Sequence, residues 1–597
     1  MCGIAGELRF DGAAPDRAIL ERMSARLARR GPDGEGFWTS GPVAFAHRRL
    51  AIIDLTERSR QPMVDAAAGL SLVFNGTIYN YPELRHELIQ RGHEFFSAGD
   101  TEVILRAYAE WGESCVERLT GMFAFAIWDI KRRRLFLARD RIGIKPLYFT
   151  RTAKCLRFAS NSQALLAAGG VDTGIDPIAL HHQFMLHAAV PPPFTILKGI
   201  RKLEQGTTLT IDTAGRTFER RYWHLRAQRP AVAKSEAEWT AAIHDALRRA
   251  VKTHLDIADV KVGVLLSGGL DSSLLVALLA EQGVPDLLTF SVGFEDYVGE
   301  YGEERGNEFE YSDAVAEHFG TRHHKYAIPN REVLRRLPEA IESMAEPMVS
   351  QDAVSFYLLA EVVSQTVKVV QSGQGADEVF AGYSWHAKMA VEHGPFIERL
   401  QRHYLDRDHA EFAQMIRARY QVGDVTSELL AAKLAEAHAD EFIDQLLRLE
   451  ATFLVTDDPV KRVDNMTMAW GLEARVPFLD HHLVELAAQM PPELKLASGG
   501  KHVLKTIARG LLPDLVIDRP KGYFPMPALK YVRGEFLDFM RAILDSAACR
   551  RRGLYKRAYV EKLLAEPEKH LTRIQGSKLW HLALLEFWLQ RNVDGAH

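Results

Sequence analysis

Val260-Lys261-Val262-Gly263-Val264-Leu265-Leu266-Ser267-Gly268-Gly269-Leu270-Asp271-Ser272-Ser273 is the stretch that decides how the second half of this chain is read. Val260–Leu266 is an apolar, β-branched run of strand length, and an apolar helix carrying Leu274, Leu275 and Leu278 follows. A strand, a Gly-rich turn and a helix N-terminus together make an anion site. Glycines 268 and 269 let backbone N–H groups face phosphate oxygens, and the helix dipole favours negative charge. Ser267, Ser272 and Ser273 add hydroxyl donors. Asp271 would repel a phosphate directly, but it fits if Mg²⁺ stands between them. The loop lacks the Gly-Lys-Ser/Thr ending of a Walker A sequence. The plain alternative is an ordinary strand-to-helix turn capped by serine.

Further along, Ser372-Gly373-Gln374-Gly375-Ala376-Asp377-Glu378 again follows an apolar run, Val367–Gln371. Two such loops at the carboxyl ends of strands in one sheet would face the same crevice. Asp377 then offers a second carboxylate for Mg²⁺, with a helix cap as its competing role. Helix, buried strand and helix alternate from Glu236, which predicts an α/β domain with a mainly parallel sheet, mostly helical beyond Ile397. Upstream, 226–235 is polar, contains Pro230 and reads as a linker. The expected organisation is therefore a domain over 2–225, the linker, and a domain over 236–597. The first domain reads as short strands (Leu70–Phe74, Phe123–Trp128, Leu135–Ala138) with helices at Arg17–Arg29 and Thr101–Trp111.

With 597 residues the chain exceeds one hydrophobic core. Its 47% hydrophobic and 25% charged content is that of a folded globular protein, and a net charge of -4 gives no reason to expect nucleic acid. No apolar run reaches the roughly 18 residues of a membrane span, and the N-terminus lacks the pattern of a secretion signal. The four cysteines are scattered, without metal-ligand or disulfide spacing, so a cytoplasmic protein is expected. Cys2 stands out by position. Removal of the initiator Met would leave a thiol beside a free α-amine of ordinary pKa roughly 7.7–8.0, a nucleophile and base in one residue.

The segments Cys2-Gly3-Ile4-Ala5-Gly6, Arg30-Gly31-Pro32-Asp33-Gly34, His47-Arg48-Arg49-Leu50, Phe74-Asn75-Gly76-Thr77-Ile78-Tyr79-Asn80, Asp100-Thr101-Glu102 and Arg139–Tyr148 resemble the class II glutamine amidotransferases. The Ser267–Ser273 loop resembles the PP-loop of ATP pyrophosphatases. With Glu473-Ala474-Arg475-Val476-Pro477-Phe478-Leu479-Asp480 added, the order resembles glutamine-hydrolysing asparagine synthetase over nearly the whole chain. The resemblance implies an αββα sandwich of the N-terminal-nucleophile type ahead of a PP-loop α/β domain. It implies L-glutamine, ATP, Mg²⁺ and a carboxylate acceptor as ligands, an intramolecular ammonia tunnel, and a homodimer as the family-level expectation.

Carried over by residue, Cys2 is the nucleophile, Arg49 binds the glutamine carboxylate, Asp100 accepts its ammonium, and Asn75 with the N–H of Gly76 forms the oxyanion hole. A surface salt bridge for Arg49, a turn at Asn75-Gly76 and a helix cap for Asp100 are the bland alternatives. In the second domain the resemblance sets adenine against Leu265, Val292, Ser372 and Gly373, phosphates at Ser267, Gly268, Gly269, Ser272 and Ser273, and Mg²⁺-pyrophosphate at Asp271 and Asp377. Lys521 would neutralise phosphate charge, or be a solvated surface lysine.

Gln374 stands where some asparagine synthetases carry an acidic residue, and Asn465 where many relatives have Lys or Arg. Lys461 and Arg462 are near enough in sequence to compensate for the latter, and the acidic, aromatic stretch Phe294–Tyr311 could border the acceptor or be a solvated loop. These features, with Arg519–Pro527 and the opening Gly6–Gly12, resemble the N-acetylglutaminylglutamine amidotransferase branch, whose acceptor is a dipeptide carboxylate; aspartate remains the alternative. A regulatory relative that binds without turnover, and a synthetase with a purely structural first domain, are the competing classes.

Overall fold

A computed structural model describes residues 2–294, 309–436, 438–439, 441–519, 529 and 532–595. Lys521, most of Phe294–Tyr311 and all but the first residue of Arg519–Pro527 lie outside the described residues.

The first half builds four layers. Tyr148–Arg151, Cys155–Ala159, Gly3–Arg9, Val43–Arg49 and Gly34–Ser40 pair antiparallel in that order, with the short Arg201–Lys202 at one edge. A second antiparallel sheet runs Thr217–Arg221, Thr207–Asp212, Arg134–Arg139, Gly121–Asp129, Leu70–Ile78 and Met63–Asp65. Side chains alternate across each strand, so the inner strands feed two cores. Ile4, Leu8 and Phe45 meet Val73, Ala124 and Leu137 between the sheets. Outside the second sheet, Phe74, Phe123 and Phe125 pack on Leu84, Leu88, Ile104 and Tyr108 of the helices Tyr81–Gln90 and Asp100–Trp111. On the far side, small Ala5, Ala44 and Ala46 admit Leu20, Met23 and Leu27 from the helix Arg17–Ala25 and the turn after it. This is the expected αββα sandwich.

Glu236 opens a 21-residue helix, and Ser235 and Glu238 cap it reciprocally through side chain and backbone. The five-stranded sheet beyond is wholly parallel, in the order Arg322–Ile328, Leu288–Phe294, Val262–Leu265, Val369–Gln371, Glu473–Arg475. Strand order reverses direction at the central pair Val262–Leu265 and Val369–Gln371, so the loops after these two strands open on one crevice. Beyond the sheet the chain is helical, as expected. One run, Phe442–Met468, is widened by π turns at Glu450–Leu454 and Thr456–Val460, where Pro459 supplies no N–H.

That widened run meets the first half through charge. Asp464, buried, takes Arg30 at 3.0 Å and Lys145 at 3.3 Å. Arg30 and Lys145 hold its carboxyl below the usual range against the opposing effect of burial. Lys202 meets Asp457 at 2.5 Å and Glu346 at 2.9 Å, and Tyr148 donates to Glu346 at 3.0 Å. Replacing one member of such a cluster strands its partners without water. Asp464→Asn is expected to destabilise the protein by about 3–5 kcal/mol, measured by denaturant unfolding, whereas Arg17→Ala at an exposed pair should cost less than about 1 kcal/mol.

Candidate functional site

Cys2 immediately precedes the strand Gly3–Arg9, and Arg49 ends the neighbouring strand Val43–Arg49. Asn75 and Gly76 lie in Leu70–Ile78 of the facing sheet, and Asp100 opens the helix behind it. These elements converge on a cleft of about 370 Å³ whose lining includes Cys2, Arg49, Gly76, Thr77 and Asp100. Cys2, Arg49, Gly76 and Asp100 line it and Asn75 is bonded to the Cys2 nitrogen, so the five residues that the sequence singled out in this half are brought together.

Their surroundings differ in instructive ways. Burial pushes the Cys2 thiol up from its ordinary value, so at neutral pH it needs a base to become a nucleophile. The Cys2 nitrogen donates to Asn75 Oδ1 at 3.0 Å. The Asn75 amide Nδ2 is buried and has no hydrogen-bond partner among the described residues, an unspent donor beside the thiol-bearing residue. Gly76 has φ +155°, and a Cβ there would come within 2.1 Å of the Met122 carbonyl, so only glycine fits. Arg49 is buried rather than in a surface ion pair. Its Nη1 and Nη2 donate to the carbonyls of Thr56 (3.0 Å) and Asp54 (2.5 Å), neutral partners that leave its charge uncancelled. Asp100 accepts from the Ile78 N–H at 3.1 Å, and burial raises its carboxyl to about 6.

One residue of this neighbourhood comes from the second half. Glu473, fully buried, accepts from Thr77 Oγ1 at 3.2 Å and from Arg475 Nε at 2.6 Å. Burial opposes its charge, yet nearby positive groups, Arg475 and Lys145 among them, hold it at about 2. Glu473 and Arg475 sit two apart in a strand and so share a face. That spacing was visible in the sequence, but not the long-range partner that gives it meaning.

In the crevice of the parallel sheet the two loops touch. A Cβ on Gly373 would stand 3.0 Å from Asp271 Cβ and 3.1 Å from the Ser272 nitrogen. Gly268 has φ +74°, and its missing Cβ clears the Ser312 nitrogen and Tyr311. Ser267 and Ser272 hydroxyls lie 3.1 Å apart, the Gly269 N–H donates to Ser267 Oγ at 3.3 Å, and buried Ser273 Oγ has no partner among the described residues. Leu265 ends its strand and Val292 lies two residues before the end of the adjacent one, and the Ser372 N–H is already given to the Arg475 carbonyl at 2.8 Å.

Asp271 and Asp377 converge on a cation that the sequence reading missed. Lys501 Nζ lies 2.7 Å from each carboxylate, and the two acids raise it above the ordinary lysine value although burial opposes its charge. It follows Gly499-Gly500 in no recognisable motif, so only the fold reveals it. Asn465, by contrast, is turned away to structural work, accepting from the Ala345 N–H at 2.7 Å. Lys461 and Arg462 are drawn to Glu346, Asp457, Asp458 and Asp352 in the charged seam described above.

Comparison with known proteins agrees with both halves. The family model for the glutamine amidotransferase domain matches residues 1–223, and that for asparagine synthase matches 242–590. Asparagine synthetase [glutamine-hydrolyzing] 3 of Bacillus subtilis is 33% identical, covering 92% of this chain and 91% of its own length. Asparagine synthetase [glutamine-hydrolyzing] 1 of the same organism is 30% identical over 100% and 97%. A putative asparagine synthetase [glutamine-hydrolyzing] of Mycobacterium bovis is 33% identical over 98% and 97%. With two such chambers joined in one chain and likeness along its whole length, this protein belongs to the glutamine-hydrolysing asparagine synthetase family.

Proposed function

We propose that this carbon–nitrogen ligase moves the amide nitrogen of glutamine onto the carboxylate of N-acetylglutaminylglutamine, with Cys2 as nucleophile and the crevice of the parallel sheet as the ATP site. Once Met1 is removed, the Cys2 nitrogen is an amine positioned by Asn75, and it takes the thiol proton as sulfur attacks the carboxamide carbon. The unspent Asn75 Nδ2, with the Gly76 N–H, stabilises the oxyanion. Arg49 takes the glutamine carboxylate and Asp100 its ammonium. Ammonia leaves, and water releases glutamate from the thioester.

At the second site the acceptor carboxylate attacks the α-phosphorus of ATP, pyrophosphate departs, and ammonia displaces AMP from the acyl carbon. The Ser267–Ser273 loop cradles the phosphates. Two carboxylates that already share one cation, Lys501 Nζ, offer the hard oxygen donors that Mg²⁺ prefers, so Asp271 and Asp377 fit that ion. Bound there, Mg²⁺ would offset the charge gathering on pyrophosphate. Lys521 would add to this from outside the described residues. Free ammonia becomes mostly ammonium in water, so a dry seam between the two chambers serves the transfer.

The acceptor reading rests on one observation: half-buried Gln374 puts a neutral amide in the loop between Gly373 and Asp377. Aspartate brings an ammonium that calls for a carboxylate nearby, whereas an N-acetylated dipeptide brings none. Aspartate is the second reading, favoured by the asparagine synthetases of Bacillus subtilis that this chain resembles. Side-by-side amidation assays with the two acceptors decide between them, and turnover of aspartate alone would remove the dipeptide.

Cys2→Ala is expected to abolish glutamine-dependent synthesis while sparing synthesis from added ammonia. Loss of both in a folded variant would contradict the division of labour. Asp271→Asn or Asp377→Asn should do the reverse, lowering ATP-dependent amidation at least tenfold with glutamine hydrolysis kept. Asp100 must be ionised to hold an ammonium. With its carboxyl at about 6, kcat/KM for glutamine should fall toward tenfold per pH unit below that value. The inflection should vanish in Asp100→Asn. The sign for folding is opposite to that of a salt-bridged acid, because a raised carboxyl contributes most when protonated and loses that contribution as pH rises from about 4 through 6.

A further inference from the structure

Away from both chambers, three side chains of metal-ligating type meet where a helix of the first half crosses two helices of the second. His181 lies on Pro177–Met185, His409 opens His409–Met415, and Asp424 precedes Val425–Leu434. His181 Nε2 is 3.1 Å from His409 Nδ1 and 3.9 Å from Asp424 Oδ1, and all three ligand atoms lie within 4.8 Å of one another. Around a tetrahedral zinc ion with bonds of about 2.0–2.1 Å, neighbouring ligand atoms stand about 3.3–3.4 Å apart, so the two nitrogens are already spaced as ligands. Only the half-exposed Asp424 carboxylate has to move in, and its Oδ1 meanwhile caps the helix by accepting from the Ser427 N–H at 3.2 Å.

One proton arrangement around His181 frees a nitrogen for a metal ion. His181 Nδ1 lies 2.6 Å from Thr426 Oγ1, and His182 Nδ1 lies 2.9 Å from the same oxygen. One hydroxyl has one hydrogen. Giving it to His182 and letting His181 donate from Nδ1 leaves Nε2 of His181 as a lone pair toward His409 and Asp424, the arrangement a bound metal ion selects; the opposite one makes Nε2 a donor to His409. A second hydrogen bond that sets the tautomer is the support a ligating histidine carries. The Phe412 ring, 4.6 Å away edge to face, closes one side of the imidazole.

We propose that His181, His409 and Asp424 bind one divalent transition-metal ion of the zinc class, with water in the fourth position, clipping the first half of the chain to the second. Two imidazoles and one carboxylate select such an ion over Mg²⁺ or Ca²⁺, which prefer oxygen. The half-exposed positions of His409 and Asp424 give the ion its way in. The other histidine–aspartate group, His187, Asp406 and His581, is a weaker candidate, because the Arg407 guanidinium stands 3.5 Å from His581 Nδ1 and repels a cation.

The test uses the full chain, freed of metal and titrated with Co²⁺ and Zn²⁺. The expected results are one Co²⁺ per chain with the visible absorption of a tetrahedral site, and a rise in Tm on the order of a few degrees with Zn²⁺ that a chelator reverses. His409→Ala should lose the spectrum and the Tm response. Asp424→Asn, which keeps a helix-capping side chain, should weaken both, guarding against a folding artefact. His187→Asn should retain both. Wild-type protein with no tetrahedral Co²⁺ band, or a band that survives in His409→Ala, overturns the site, as does a band lost only in His187→Asn.

Discussion

Taking charge out of water is expensive, and this chain does so repeatedly at one seam. Asp464 stands between Arg30 and Lys145, Lys202 between Asp457 and Glu346, and Glu473 against Arg475 and Thr77. Such clusters add little net stability compared with apolar packing, but they tolerate only one alignment, because any slip leaves an ion unpaired in a dry place. Registry is what two chambers in one chain require. Arg30 shows the economy of the arrangement, since the guanidinium that grips Asp464 also donates to the Cys2 carbonyl at 3.3 Å.

Much of the architecture was legible because local rules and tertiary demands agree. Ser235 and Glu238 cap a helix where the sequence turned helical, and the Gly268-Gly269 turn follows a strand that is central in its sheet. Strand ends moved by a few residues: Val260–Leu266 shortened to Val262–Leu265, and Leu70–Phe74 lengthened to Leu70–Ile78, because pairing with Gly121–Asp129 continues past the apolar run. Polar residues in buried strands, such as Asn75 and Thr77, look like loop residues until their partners across the fold are known.

The less legible part of each chamber is its charge balance. Lys501 reaches Asp271 across 230 positions of sequence, and no periodicity announces it. Glu473 and Arg475 could be recognised as a pair but not as neighbours of Thr77. Asn465 stood out in the sequence only as a departure from relatives; its bond to the Ala345 N–H, 120 positions away, is visible only in the fold. The widened helix Phe442–Met468, which carries Asp457 and Asp464 to their partners in the other half, was also invisible in the sequence.

The edge strand Glu473–Arg475 touches both chambers within three residues. Its Arg475 carbonyl receives the Ser372 N–H of the second loop, and its Glu473 carboxylate receives Thr77, next to Gly76 of the cleft. The separation between the two centres is therefore set by a strut of covalent bonds and two short polar links rather than by how two bodies happen to settle. A strut does not stretch: a substrate that tugs on one end loads the other within the same rigid piece, and a gap of fixed length needs no hinge to be crossed.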